Sequence, residues 1–232
     1  MQRAIDEFET ALRADPTYTD ALSRIALAYG IATANGVSVG LPRDTMVARA
    51  VRNATDAVGR APRSSDAWVA MAVARLAAEP RHPAAVRDAL ERALALDPTN
   101  SEAQHLLGFT LEMMGHDSAG LEHDRLALAI EPARPVTLMH FAQSAIKAGR
   151  YAEGRRWVDS ALVFDRDFWS ARGFLPALMV AAGETVQARA EVERLVEELF
   201  HLAETRNIEA LKQYDFIMCA DRTVPDFFRR SH

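Results

Sequence analysis

The residues best suited to chemistry are few. His116 and His123 stand seven apart, with Asp117 and Glu112 close by. Imidazoles and carboxylates are the ligands that zinc and similar ions take. Asp117, Gly120 and Glu122 read as the surface of a helix, however, so the two histidines do not converge and no metal is expected. His105 and His140 fall on successive helices and could approach one another, with hydrogen bonding in a groove as the expected use. Ser23, Ser65, Ser101 and Ser118 lie at helix starts or on helix faces, where serine caps a helix, and none sits in a nucleophile elbow. Gly36 and Gly40 lack the Gly-Lys-Ser/Thr ending of a phosphate loop. Nothing assembles into a catalytic constellation, so the expectation is a protein that is not an enzyme and carries no cofactor.

Composition narrows the class further. The 232 residues are 49% hydrophobic but only 7% aromatic, and alanine is abundant. Alanine has the best helix propensity, and its small side chain lets helices pack closely. The net charge of −5, from 32 acidic and 27 basic residues, provides no basic face for nucleic acid. The basic pairs Arg155-Arg156 and Arg229-Arg230 are too short to supply one. Cys219 is the only cysteine, which excludes an internal disulfide framework and fits a reducing, cytoplasmic setting. No apolar run is long enough to span a membrane. The charged start Met1-Gln2-Arg3-Ala4-Ile5-Asp6-Glu7-Phe8 is not a secretory signal.

The elements follow from a repeat. Alanine followed by an aliphatic residue recurs at Ala11-Leu12, Ala57-Val58, Ala93-Leu94, Ala127-Leu128 and Ala161-Leu162, at steps of 46, 36, 34 and 34 residues. Five residues after each alanine stand Pro16, Pro62, Pro98, Pro132 and Arg166. Proline stops a helix and turns the residue before it away from helical geometry. Gly115, Gly149 and Gly183 recur every 34 residues, where glycine ends a helix in the left-handed conformation.

This pattern resembles the tetratricopeptide repeat, a 34-residue helix-turn-helix. Its first helix, helix A, is matched by Leu22, Ile25, Ala26 and Tyr29, by Gln104, Leu107, Gly108 and Leu111, by Trp68, Met71 and Ala72, and by Leu138, Phe141, Ala142 and Ala145. Helix B is matched by Ala4, Phe8, Ala11 and Pro16. Arg75, Asp124 and Arg166 depart from the family's Tyr, Phe and Pro. The resemblance covers residues 1–183. It implies an all-α, right-handed α-solenoid of antiparallel helix pairs, about five to six repeats long, in which the aromatic and small residues pack between helices.

Within that frame residues 1–14 are a helix B without its helix A, expected to expose an apolar face. A fragment of a longer chain, or a homodimer through this helix, would explain it. An insertion near residues 30–42 extends helix A to about Ala34 and restarts at Pro42-Arg43-Asp44. Residues 184–213 form a C-terminal cap. Its first helix, to about Ala203, has an apolar face of Val186, Ala190, Val192, Leu195, Val196, Leu199, Phe200 and Leu202, with Glu191, Glu193, Arg194, Glu197 and Glu198 mostly outside. A further helix is expected from about Asn207 to Cys219. Residues 214–232 are a tail, whose Phe227 and Phe228 should dock.

The resemblance places binding on helix A. Phase assigns Asp66, Val69, Val73 and Leu76, then Glu102, His105, Phe109, Glu112 and Met113, then Val136, Met139, His140, Gln143, Ile146 and Lys147. The Lys, Asn and Arg with which some members grip a terminal carboxylate are missing apart from Lys147. The expected function is a protein-interaction scaffold holding a peptide or partner protein in the groove. Tyr214, Phe216, Ile217 and Met218 of the same chain are the competing occupants. The alternative is a regulatory region of a larger bacterial signalling protein, because the early repeats resemble those that follow transcription-regulator, nucleotide-cyclase or kinase domains.

Overall fold

A computed structural model describes residues 1–34, 36–37 and 39–204. The expectations for Cys219, for the helix from Asn207 to Cys219, for Arg229-Arg230 and for the tail lie outside these residues. Among the described residues every element is a helix. The chain divides into two compact units, Met1–Pro132 and Ala133–His232.

The first unit holds α1 (Gln2–Ala14), α2 (Thr19–Ala34), α3 (Arg43–Arg60), α4 (Ser65–Ala78), α5 (Pro83–Leu96), α6 (Ser101–Met113) and α7 (Asp117–Ile130). Helices α2, α4 and α6 take the helix-A place; α3, α5 and α7 pair with them. The insertion falls where the sequence put it, with α2 running to Ala34 and α3 starting at Arg43. Two helices with one-sided apolar stripes cannot bury both faces in one pair, so each core draws on three or four helices. Ile5, Ile25, Tyr29, Met46, Ala50 and Ala70 share one core across α1 to α4. Val69, Val86, Leu90, Ala103 and Leu107 share the next across α4 to α6. The fully buried Leu90 side chain alone removes enough apolar surface to contribute about 2 kcal/mol.

The expected apolar face on α1 is not there. Ile5 is buried and Phe8 and Leu12 pack on the cores, while the outward positions are mostly polar. Arg3 bonds Glu7 and Gln2 bonds Asp6 along that outer face. The helix is amphipathic with a solvated back, so it closes the end of the core.

The second unit holds α8 (Pro135–Lys147), α9 (Tyr151–Phe164), α10 (Trp169–Ala181) and α11 (Thr185–Glu204). Phe141 of α8 stacks on Trp157 of α9 at 5.0 Å between ring centres. Helix α11 corrects the sequence reading. Ala188 is buried against the unit, and Glu198 makes two bonds to the buried Arg172 of α10, at 2.9 and 2.8 Å. A buried guanidinium demands a carboxylate, so Glu191 and Glu198 turn inward and Val186, Val192, Val196 and Phe200 are left exposed.

The turns repeat with the sequence. Asp15 and Asp97 each accept two bonds from the threonine two residues on, and these bonds hold both carboxyls below their usual range. After α6, Gly115 adopts φ 81°, and His116 N–H donates to Leu111 and Gly115 N–H to Glu112. Gly149 and Gly183 close α8 and α10 with the same pair of bonds.

Close approach is tightest between α6 and α7. A Cβ on Gly120 would lie 2.7 Å from the Gly108 carbonyl oxygen, which is backbone and cannot swing away. Gly59 of α3 has nothing within 4 Å of its Cβ position. Gly120→Ala is expected to cost about 2 kcal/mol, and Gly59→Ala to stabilise by about 0.5 kcal/mol. Urea titrations of both variants check this. Equal effects at the two sites would contradict the packing account.

Candidate functional site

Helix-A residues fall into three groups by what they touch. Asp66 is a connector: its Oδ1 accepts from Asn100 Nδ2 at 2.9 Å, and its Oδ2 lies 3.5 Å from Arg24 of α2. Asn100 also caps α6, accepting from Ala103 N–H at 3.0 Å. The caps are thus Ser64 and Asn100, one residue before the serines Ser65 and Ser101 marked by the sequence.

Val69 and Val73 are core residues, 1% and 4% exposed, and present no groove surface. Val73 is sealed because α2 runs on past it. Gly30 lies so near that a Cβ there would come within 2.6 Å of the Val73 side chain. Ile146 likewise faces α9, against Gly154. In the second unit Met139 and His140 are also buried, Gln143 is half-buried, and Val136 and Lys147 are exposed.

The open surface among these candidates is on α6. Phe109 and Met113 are 37% and 42% exposed, one helical turn apart, with Glu102 and Glu112 half-buried on the same face. Residues four apart on a helix are neighbours on its surface.

His105 lies beneath that face. Its Nδ1 donates to Asp124 Oδ1 of α7 at 2.9 Å, and the carboxylate is fully buried. Beside it His123 Nδ1 meets Gln104 Oε1 at 2.7 Å. Gln104 Nε2 donates to the Pro98 carbonyl at 3.1 Å, which fixes the amide so that His123 must be the donor at Nδ1. His123 is therefore turned into the α6–α7 pair, while His116 sits exposed at the start of α7. The sequence reading missed both pairings. Their signal was there: polar Asp124 stands where the repeat expects an aromatic, and Asp124 and Gln104 each have a histidine nineteen residues away.

Gln104 also shows the repeat register in atoms. Trp68 Nε1 donates to the Pro62 carbonyl at 3.0 Å, and Gln104 reaches back the same six residues to Pro98. A family model described as Tetratricopeptide repeat matches residues 89–121, spanning α6 in this register. Residues 89–121 match the tetratricopeptide repeat, and the turns on either side keep its register. No curated protein matches it by sequence. Similar solved structures include a thermophilic tetratricopeptide-repeat protein of Thermus thermophilus, 19% identical, with a TM-score of 0.62 over 76% of this chain and 89% of that one. PilF of Pseudomonas aeruginosa is 16% identical, with a TM-score of 0.61 over 90% and 95%. The Cut9–Hcn1 hetero-tetramer of APC/C is 13% identical, with a TM-score of 0.65 over 93% of this chain and 41% of that one. At these identities the likeness shows the fold, the all-α solenoid of the repeat family. No helix among the described residues is long and apolar enough to cross a membrane.

The buried polar pairs of this repeat protein can be tested through its stability. Asp124→Ala removes the acceptor of a buried imidazole N–H and is expected to cost about 2–3 kcal/mol in urea unfolding. A loss below about 0.5 kcal/mol would show that the pair is not structural. Burial pushes His123 below its ordinary 6.5, against the opposing pull of Asp124 and Glu91. The unfolded chain then takes up this proton first, so the stability tied to neutral His123 is whole above pH 6.5 and is lost as pH falls through the folded value. His123→Gln should flatten the decline of melting temperature between about pH 7 and 5; an unchanged slope would exclude His123 as its source.

Proposed function

We propose that the chain binds an apolar segment of a partner protein or peptide on the helix-A face of α6, with Phe109 and Met113 as anchors. The observation that carries this is their joint exposure, one turn apart, in an array whose other helix-A apolar residues are largely buried. Exposed apolar neighbours of this kind mark interaction surfaces, and a flexible methionine adapts to more than one shape. Glu102 and Glu112 on the same face favour a partner with basic residues beside its apolar anchor. Asp66 and His105 support this face from below and from the neighbouring helix. The sealed residues Val69 and Val73 take no part. The reading assigns no reaction to the chain.

The test is a peptide-display selection against the whole protein, with recovered peptides measured by fluorescence anisotropy. Phe109→Ala with Met113→Ala should weaken binding at least about tenfold while stability changes by about 0.5 kcal/mol or less, as expected of surface positions. Peptides that bind the double variant as well as the parent would place the site elsewhere.

A further inference from the structure

Met113, one of the two proposed anchors, is also the side chain on that face that a mild oxidant attacks. The chain has eight methionines. Among the described residues only Met1 and Met113 are exposed, at 50% and 42%. Met46 and Met139 are buried, and Met71, Met114 and Met179 are half-buried. A thioether is oxidised where an oxidant can reach its sulfur. Met113 is therefore open to a small hydroperoxide, while Met46 and Met139 are shielded.

The place of Met113 makes its oxidised form incompatible with an apolar contact. Sulfoxidation adds a polar oxygen, a hydrogen-bond acceptor, to an otherwise apolar side chain. Met113 is the last residue of α6, and the backbone N–H groups of the turn after it are already spent. Met114 donates to Thr110 and Leu111, Gly115 to Glu112, and His116 to Leu111. Glu102 and Glu112 on the same face offer carboxylates, which accept and do not donate. The new oxygen then relies on water, and an apolar partner that covers it strands an unpaired acceptor. We infer, on the reading that α6 holds the partner, that Met113 is a redox-modification site: a hydroperoxide converts its thioether to the sulfoxide and thereby releases the partner. The sulfur lone pair attacks one peroxide oxygen, so that an S–O bond forms and the O–O bond breaks. With hydrogen peroxide the departing oxygen takes the proton of the transferred one and leaves as water. The sulfur loses two electrons and the peroxide gains them. Two thiols reverse the change by forming a disulfide, with the sulfoxide oxygen leaving as water.

Brief hydrogen peroxide treatment of the full chain tests this, read by peptide mass spectrometry and by anisotropy with a peptide that the α6 face selects. Met113 should oxidise at least about tenfold faster than Met46 and Met139. Met218, outside the described residues, is followed on its own fragment. Treated protein should bind at least about tenfold more weakly with an unchanged urea midpoint, and methionine sulfoxide reductase with dithiothreitol should restore binding. Met113→Leu, close in volume, should bind like the parent and stay insensitive to peroxide. Met113→Gln should bind weakly with no oxidant present. Undiminished binding by protein sulfoxidised at Met113 would overturn the inference, as would oxidation of Met113 no faster than of Met46. So would an equal loss in treated Met113→Leu, because another methionine would then be responsible. Peptides indifferent to Phe109→Ala with Met113→Ala would remove the α6 reading and this inference together, and that result is seen in untreated protein.

Discussion

The paired helices of this protein meet backbone to backbone, and the rest of the fold depends on that approach. At Gly108 and Gly120 there is no room for a methyl group on either side; Gly154 crosses Ala142 and Ile146 with similar closeness. Dispersion falls away steeply with separation, and a hydrogen bond fails beyond about 3.5 Å. The short bonds from His105 to Asp124 and from His123 to Gln104 exist because two glycines let α6 and α7 come this close. A wider pair would leave a carboxylate buried without this imidazole donor. Small residues at the crossing and polar residues beside it therefore form one arrangement, and each constrains what the other can be.

The turns impose a second demand, which different residues meet. The carbonyl of each turn proline needs a donor. Pro62 receives Trp68, Pro98 receives Gln104, and Pro16 receives Arg60 from the end of α3. An indole, an amide and a guanidinium share only an N–H at a suitable reach. Similarly, Tyr29 lies against the Arg49 guanidinium and near Glu9, while Arg75, in the equivalent place of α4, donates to the Ala85 carbonyl. The fold selects for geometry and donor capacity more than for residue identity. That accounts for a solenoid retained at sequence identities of 13–19%.

What the sequence made legible was local. Prolines and glycines act on their own backbone, so the repeat step, the ends of α2 at Ala34 and α3 at Arg43, and the glycine-closed turns could be read directly. The insertion could be placed for the same reason. Caps were missed by one residue, because a cap is chosen by backbone geometry as well as by side-chain type. The failures were non-local. Which side of α11 packs is decided in part by Arg172, twenty-six residues before Glu198: hydrophobic periodicity put Glu191 and Glu198 outside and Val192 and Val196 inside, whereas Glu193, Arg194 and Glu197 are exposed as expected. The solvated back of α1 depends on Gln2, Arg3, Asp6 and Glu7 sharing one side. Val69 and Val73 occupy groove positions by phase, yet the extension of α2 that seals Val73 belongs to a different repeat.

That extension also bears on how a partner could be held. By reaching Ala34, α2 lies along α4 and takes over the surface that α4 would otherwise offer, whereas α4 and α6 touch only lightly. In the first unit the proposed recognition then concentrates on α6. Thirteen residues at about 1.5 Å of rise each give a helix roughly 20 Å long, enough to seat a few turns of a partner segment. A single face of that size buries less than the roughly 1,200–2,000 Å² typical of stable protein complexes. Affinity there must come from a few anchors, because contact area alone does not set binding energy. Phe109 and Met113 have the right character for anchors. The buried His105–Asp124 pair beneath them gives the helix a fixed seat, so the proposed binding would leave little ordering to be done.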